Sequence, residues 1–510
     1  MTAIRVRRAL LPALSGLLLA GCATVGPDYA VPADAVFNRP AANGTFDASG
    51  NPAVDPAGAL PDRWWALYQD PRLDALVEEA LRHNAGLREA EANLRRATAV
   101  FEQAEDAGGI DFEADAGVSR AQLSAQAFLK EEKLPVVNLA DGRFGVSYQL
   151  DLFGKLRRGV EAAHADAQTV LAARDLARIS VVAGVVGSYM EICHGNHELH
   201  VATHSLALQQ RGREVTARLI AAGRGTAPEL ARANAQVALL EATLPPLRAQ
   251  RQAAAHELAA LLGRTPGQLP AGVLDCADAP ALQRPLPVGD GRALLARRPD
   301  IRAAERRLAG ASARIGIATA ALYPDIRLGA SLGAAGLLED FGAPVNQQWS
   351  FGPLISWTLP SSGARAHIRA TEAGADAALA GFDQTVLQAL RETQTALDRY
   401  AQDLLRVRAL RTAQEQADLA ATQSRRLYQG GRTPFLASLD ADRSLATADA
   451  TLAQAEAQVS RDQVRLFLAL GGGWSQVPAD ARAQTREAAG AGPGAPAGAA
   501  AGAGEAVTVH

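Results

Sequence analysis

The chain has little cysteine for its length, and beyond residue 21 it has no hydrophobic run long enough to cross a bilayer as a helix. Three cysteines in 510 residues, Cys22, Cys193 and Cys276, make no disulfide framework for an exported chain. Cys193 and Cys276 are expected as free or buried thiols, with a bridge between them as the alternative. There is no Walker-type glycine loop, no HExxH and no paired CxxC, so nucleotide hydrolysis, zinc proteolysis and dithiol redox chemistry find no support, and the chain is read as no enzyme. Nor is there an excess of basic residues. The formal net charge is −3, and removing three N-terminal arginines takes it to −6, which excludes nucleic acid as the expected partner. Any crossing of a membrane must use strands in a closed barrel, because only helices and closed barrels satisfy their own backbone groups in lipid.

What is present begins at the N-terminus. Arg5, Arg7 and Arg8 precede a short apolar run from Ala9 to Ala20, the pattern of a signal peptide. It ends in Leu19-Ala20-Gly21-Cys22, which resembles the lipobox of bacterial lipoproteins. That resemblance implies cleavage before Cys22 and acylation of its thiol; an ordinary signal peptide with a chance cysteine is the alternative. Ala23, not Asp, follows the cysteine, which implies sorting to the outer membrane. Several acyl chains anchor firmly, at about 0.8 kcal/mol per buried methylene. No other cofactor is expected.

Residues 73–264 and 287–474 read as two copies of one pattern. Leu81, Leu87, Ala90, Glu91 and Leu94 match Leu295, Ile301, Ala304, Glu305 and Leu308 at a constant offset. Ser147-Tyr148-x-Leu150 matches Ser356-Trp357-x-Leu359, and Arg218-Leu219-x3-Gly223-Arg224 matches Arg426-Leu427-x3-Gly431-Arg432. The unit is far longer than a solenoid module, so this is a duplication. Residues 70–107 and 289–321 carry helical apolar spacing. The stretches 156–222 and 364–428 contain no proline and predict helical rods of roughly 100 Å, which must pack in a bundle or coiled coil. Turns at Gly223-Arg224-Gly225 and Gly430-Gly431-Arg432 return the chain as helices over 228–263 and 435–470, and Pro245-Pro246 should kink or break the first of these.

Four segments between the helices alternate with period two. Phe112, Ala114, Ala116 and Val118 form one apolar face; Phe144, Val146, Tyr148 and Leu150 a second; Ile326, Leu328, Ala330 and Leu332 a third; Trp349, Phe351, Ile355 and Trp357, interrupted by Pro353, a fourth. This is the size and pattern of transmembrane barrel strands, although a half-buried soluble sheet alternates identically. Four strands cannot close a barrel, so several chains must contribute. The domains expected are a signal peptide 1–21, a lipidated wrapping segment 22–72, a first repeat 73–264 with a hairpin over 111–151, a linker 265–286, a second repeat 287–474 with a hairpin over 325–359, and a disordered Ala/Gly-rich tail 475–510.

The motifs Cys22-Ala23-x-Val25-Gly26-Pro27-Asp28-Tyr29, Trp64-Trp65, Asp70-Pro71-x-Leu73, Asn84, Leu150-Asp151-Leu152-Phe153-Gly154-Lys155-Leu156-Arg157-Arg158 and Leu322-Tyr323-Pro324 resemble the NodT/OprM branch of the TolC-like outer-membrane factors. The resemblance implies a mixed α/β membrane protein: a homotrimer with a twelve-strand transmembrane β-barrel, four strands per protomer, above a long α-helical coiled-coil barrel and an equatorial belt. It implies a passive duct for drugs or other small toxic solutes, docked to a periplasmic adaptor (membrane fusion protein) and an inner-membrane pump of the resistance-nodulation-division type. It also implies an acidic periplasmic gate. Asp440 falls on one acidic position of that gate, Ala437 replaces the other, and Asp442 could supplement the ring; a ring of carboxylates favours cations. Gly223, Arg224, Gly431 and Arg432 are the expected adaptor-contact turns.

His194, His197, His200 and His204 lie on one helix face at spacings able to chelate zinc, copper or nickel, a candidate metal site. Two rival readings remain, a lipid-anchored soluble coiled-coil scaffold and a metal-binding periplasmic lipoprotein; membrane conductance would separate the duct from both.

Overall fold

The computed structural model describes residues 24–47, 51–126, 129 and 131–472. The signal sequence, Cys22 and the Ala/Gly-rich tail therefore lie outside the described residues. The first expected helix is two: α1, Pro71–His83, and α2, Ala85–Asp106. Asn84 divides them. Its backbone leaves the helical path (ψ 128°), and its side chain accepts from Leu87 N–H at 2.9 Å, capping α2, and donates to Leu261 O at 2.9 Å. Strands β2, Ile110–Gln122, and β3, Val136–Leu150, follow, then the rod α3, Lys155–Ala221. The return is broken into α4, Ala227–Glu241, and α5, Leu244–Leu261, with Pro245-Pro246 in the first turn of α5, where their missing N–H groups cost no hydrogen bond.

The second copy repeats this order. Helices α6, Gly291–Arg297, and α7, Pro299–Ala320, are parted by Pro299 where the sequence suggested one helix. Strands β5, Asp325–Leu337, and β6, Gln347–Ser356, precede the second rod α8, Ser362–Gln429, and an unbroken return α9, Phe435–Ala469. Short strands β1, Val54–Asp55, and β4, Leu286–Pro287, pair in parallel and tie the N-terminal segment to the linker between the copies.

Each rod is about 100 Å long. Its buried residues recur every three or four positions: Ile179, Val182, Val186, Tyr189 and Cys193 on α3, and Phe382, Val386, Ala389, Thr393, Leu397 and Tyr400 on α8. That is a coiled-coil seam, and α8 packs on α9 while α3 packs on α5, α7 and α9. The main core lies where these rods meet the N-terminal segment and the linker. There Trp64 stacks on Phe467 with ring centroids 4.3 Å apart, among Leu73, Tyr189, Leu258, Leu286 and Leu294.

Cys193 and Cys276 meet in this core and form a disulfide, which corrects the expectation of separate thiols. Sequence spacing could not show it, because 83 residues separate the two and only the folded linker brings Cys276 back to α3. Asn196, one turn on, donates to Leu274 O (2.8 Å) and Cys276 O (2.7 Å), so the linker is held to the rod by side-chain hydrogen bonds as well.

Candidate functional site

Strands β2-β3-β5-β6 form one antiparallel sheet, and its register decides which side chains share a face. Phe112, Val146, Ala330 and Phe351 lie in one row, and Ala114, Phe144, Leu332 and Trp349 in the next. All four sequence-predicted apolar faces thus fall on the same side. They are bare in a single chain: Phe112, Phe351 and Trp349 are 68%, 70% and 80% exposed. So large an uncovered apolar face needs a membrane or a partner. Trp357 lies just past the end of β6 and donates its indole N–H to Leu322 O at 3.1 Å.

The opposite face carries Asp111, Glu113 and Asp115 on β2, Asp141 and Arg143 on β3, Arg327 on β5, and Gly329, Gly333 and Gly352 between them. It is the polar, roomy side expected of a lumen. On β5 of this same sheet, Gly329-Ala330-Ser331-Leu332-Gly333 fits the GxSxG of serine hydrolases. Here it lies in mid-strand, with the Ser331 hydroxyl on that of Ser350 at 2.8 Å, and lacks the strand-to-helix elbow that exposes a nucleophile. The outer strands β2 and β6 each keep one unpaired edge.

At the far ends of the rods the two turns are built alike. Gly223 (φ 72°) and Gly431 (φ 69°) are left-handed. Arg224 N–H reaches Leu219 O and Arg432 N–H reaches Leu427 O, both at 2.8 Å, the long bond of a Schellman cap. Gly223, Arg224, Gly431 and Arg432 are all exposed, just past the ends of α3 and α8. Thr226 and Glu229 add a capping box that starts α4.

Phe435 and Leu439, one turn apart on α9, pack on Ala233 and Tyr428 and fix which way the following residues point. Asp440 is exposed on the other side of α9. Asp442, two residues on, turns about 200° away. It is half-buried, 3.6 Å from Arg425 Nε, and burial raises its carboxyl pKa while Arg425 opposes the rise. The structure therefore does not bring Asp440 and Asp442 onto one face; Asp442 ties α9 to α8. Arg443 does the same towards α4, donating to Gln236 Oε1 at 3.1 Å. Arg425 and Arg443 were not singled out in the sequence because nothing in their local pattern marks the helix they face.

The histidine cluster is split. At 100° per residue His197, His200 and His204 fall within about 60° of one another, and His194 lies about 60° further round. His194 turns into the helix contact and hydrogen-bonds Ser460 Oγ at 2.8 Å, and burial pushes its pKa down to about 4, so it is neutral. His200 and His204 are exposed, and His197 is half-buried. Among the described residues no group of three or more His, Cys, Asp or Glu side chains could hold a metal ion.

A family model described as outer membrane efflux protein matches residues 76–264 and 291–472, one match on each copy. The chain belongs to this family. Among its relatives are Nodulation protein T of Rhizobium leguminosarum bv. trifolii, 29% identical over 90% of this chain and 96% of the relative, and the pyoverdine export outer membrane protein OpmQ of Pseudomonas putida, 31% identical over 83% and 91%. Among solved structures, the outer-membrane channel OprN superimposes with a TM-score of 0.82 at 34% identity, covering 89% of this chain and all of that one. This family likeness places the bare sheet face in the outer membrane and the helical rods on the periplasmic side.

Proposed function

We propose that three copies of this chain close a twelve-strand barrel in the outer membrane over a long helical duct, through which drugs or other small toxic solutes leave the periplasm. The observation that carries this reading is the sheet: four strands, one continuous apolar face, one polar face, and two open edges. Open edges in lipid strand unpaired backbone groups, so the edge strands β2 and β6 are satisfied only by the β6 and β2 of neighbouring copies. Transport is passive, since the chain carries no energy-coupling motif; an inner-membrane pump of the resistance-nodulation-division type supplies the drive. A periplasmic adaptor meets the exposed turns at Gly223-Arg224 and Gly431-Arg432. Cys22 carries the lipid. Asp440 contributes one carboxylate per chain to a ring at the narrow end, which favours cations, and Asp442 holds α9 against α8 behind it.

The oligomer is tested by native mass spectrometry of the detergent-extracted protein. A mass three times that of the acylated protomer, falling to one only on heating, is expected; a stable monomer would refute the closed barrel. The ring is tested by Asp440→Asn, which should lower the preference for cations over anions without lowering the oligomer's yield. An unchanged ion preference would remove Asp440 from the gate.

A further inference from the structure

Two of the motifs by which this chain resembles its family, the segment Val25–Tyr29 and the run Leu150–Arg158, meet at a single side chain. Arg158 stands in the first turn of α3, and its side chain is only 3% exposed. Its Nε donates to Val25 O (3.2 Å), its Nη2 to Gly26 O (3.2 Å) and to Asp28 Oδ1 (2.8 Å), and its Nη1 to Glu161 Oε2 (2.8 Å). The segment it grips has been brought against helix α7. Gly26 is left-handed (φ 87°), and a Cβ there would fall 2.4 Å from Gly316 Cα. A Cβ at Gly316 would in turn fall 2.7 Å from Arg158 Cγ. The N-terminal strap, the first rod and the first long helix of the second copy are therefore stacked with no room for a side chain between them.

Just before this crossing, Val25 N–H donates to Phe153 O at 3.1 Å, and Thr24 lies against Gly154, where a Cβ would meet Thr24 Cγ2 at 2.3 Å. Asp151 holds the other side of the same turn, accepting from Leu156 N–H and Arg157 N–H at 3.0 Å each. Thr24 is thus fixed a few residues past the end of β3, at the foot of the sheet. Asp28 and Glu161 are largely exposed, so their ion pairs with Arg158 contribute little. The specific contacts are the two backbone carbonyls held by a buried, forked cation.

We propose that Arg158 is a latch for the lipid anchor, holding Val25–Tyr29 at the foot of the sheet so that the lipid-bearing N-terminus is joined closely to the barrel. This rests on the reading of Cys22 as the acylated residue. Cys22 precedes Thr24 by two residues, which span at most about 7 Å, so little chain lies between the latch and the lipid. Without it the strap would keep only the Val25 N–H to Phe153 O bond and its glycine packing before the next side-chain tie, Tyr29 Oη to Glu305 at 2.5 Å.

The test uses full-length oligomer in its own outer membrane, labelled with palmitate and exposed to a protease. Wild type is expected to carry label and to resist cleavage between residues 24 and 35. Arg158→Gln, which gives up both charged contacts to the carbonyls, should keep its label yet be cleaved there at least tenfold faster, tenfold being about the effect of losing one charged hydrogen bond. Gly26→Ala, which forces the strap off α7 from the other side, should be cleaved faster too, so a poorly folding Arg158 variant would not leave the matter open. Cys22→Ser should lose the label but keep the wild-type cleavage rate. Wild-type cleavage rates in both Arg158→Gln and Gly26→Ala would overturn the latch. Absence of label on the wild type would overturn the lipid reading while leaving the strap contacts measurable.

Discussion

Replacing both cysteines, Cys193→Ala with Cys276→Ala, removes the bridge between the first rod and the linker without leaving a lone thiol. The bridge closes a loop of 83 residues. On the loop-closure account, freeing a loop of that length lets the unfolded chain gain entropy worth about 4.5 kcal/mol per protomer at 25 °C. The Asn196 hydrogen bonds to Leu274 O and Cys276 O survive the substitution, so the linker stays seated in the native state and the loss falls mainly on the unfolded state. With an unfolding entropy of about 2.1 cal/mol/K per residue over roughly 450 ordered residues, such a loss lowers the melting temperature by about 5 °C. Differential scanning calorimetry of the detergent-extracted protein, with and without a thiol reductant, measures it. The variant should melt about 5 °C below the wild type, and reductant should bring the wild type down to the variant while leaving the variant where it is. Equal melting of variant and wild type under oxidising conditions would refute the claim that the bridge fastens the linker.

Two further outcomes follow from neighbouring geometry. Phe351 and Ser350 are adjacent on β6 but face opposite ways; Phe351→Arg should cost about 2–4 kcal/mol near the bilayer midplane and block barrel assembly, whereas Ser350→Arg on the polar face should assemble, as read from heat-resistant oligomer on a gel. Burial, and then the neighbouring Asp403 carboxyl, raise Asp462 to about 6, with Gln458 and Arg465 opposing. The folded state thus holds a proton that the unfolded chain releases near pH 4, and stability from this group falls as pH rises from about 4 to 6. Asp462→Asn should therefore stabilise the protein at pH 8 and make no difference at pH 3.5 in thermal melts; a gain that persists at low pH would contradict this assignment.

The rods, turns and strands were legible in the sequence because each is a local or periodic pattern. A stretch without proline, a glycine past a helix end and a period of two all act within a few residues. The broken return at Pro245-Pro246 was legible for the same reason. The breaks at Asn84 and Pro299 were not read, although each leaves a local trace, because helical spacing continues across them. What sequence could not supply was pairing over distance. Cys193 with Cys276, Arg158 with the strap, and Arg425 with Asp442 depend on which helices lie side by side. The histidines mislead in the opposite sense, since a shared helix face is a local property while the Ser460 contact that draws His194 inward belongs to another helix.

The central claim, an oligomeric duct closed by the edges of β2 and β6, is tested most directly by adding the purified, heat-dissociable oligomer to a planar lipid bilayer. Discrete conductance steps are expected from the oligomer and none from the heat-dissociated chain. A correctly folded trimer that inserts into the bilayer and passes no current would contradict it.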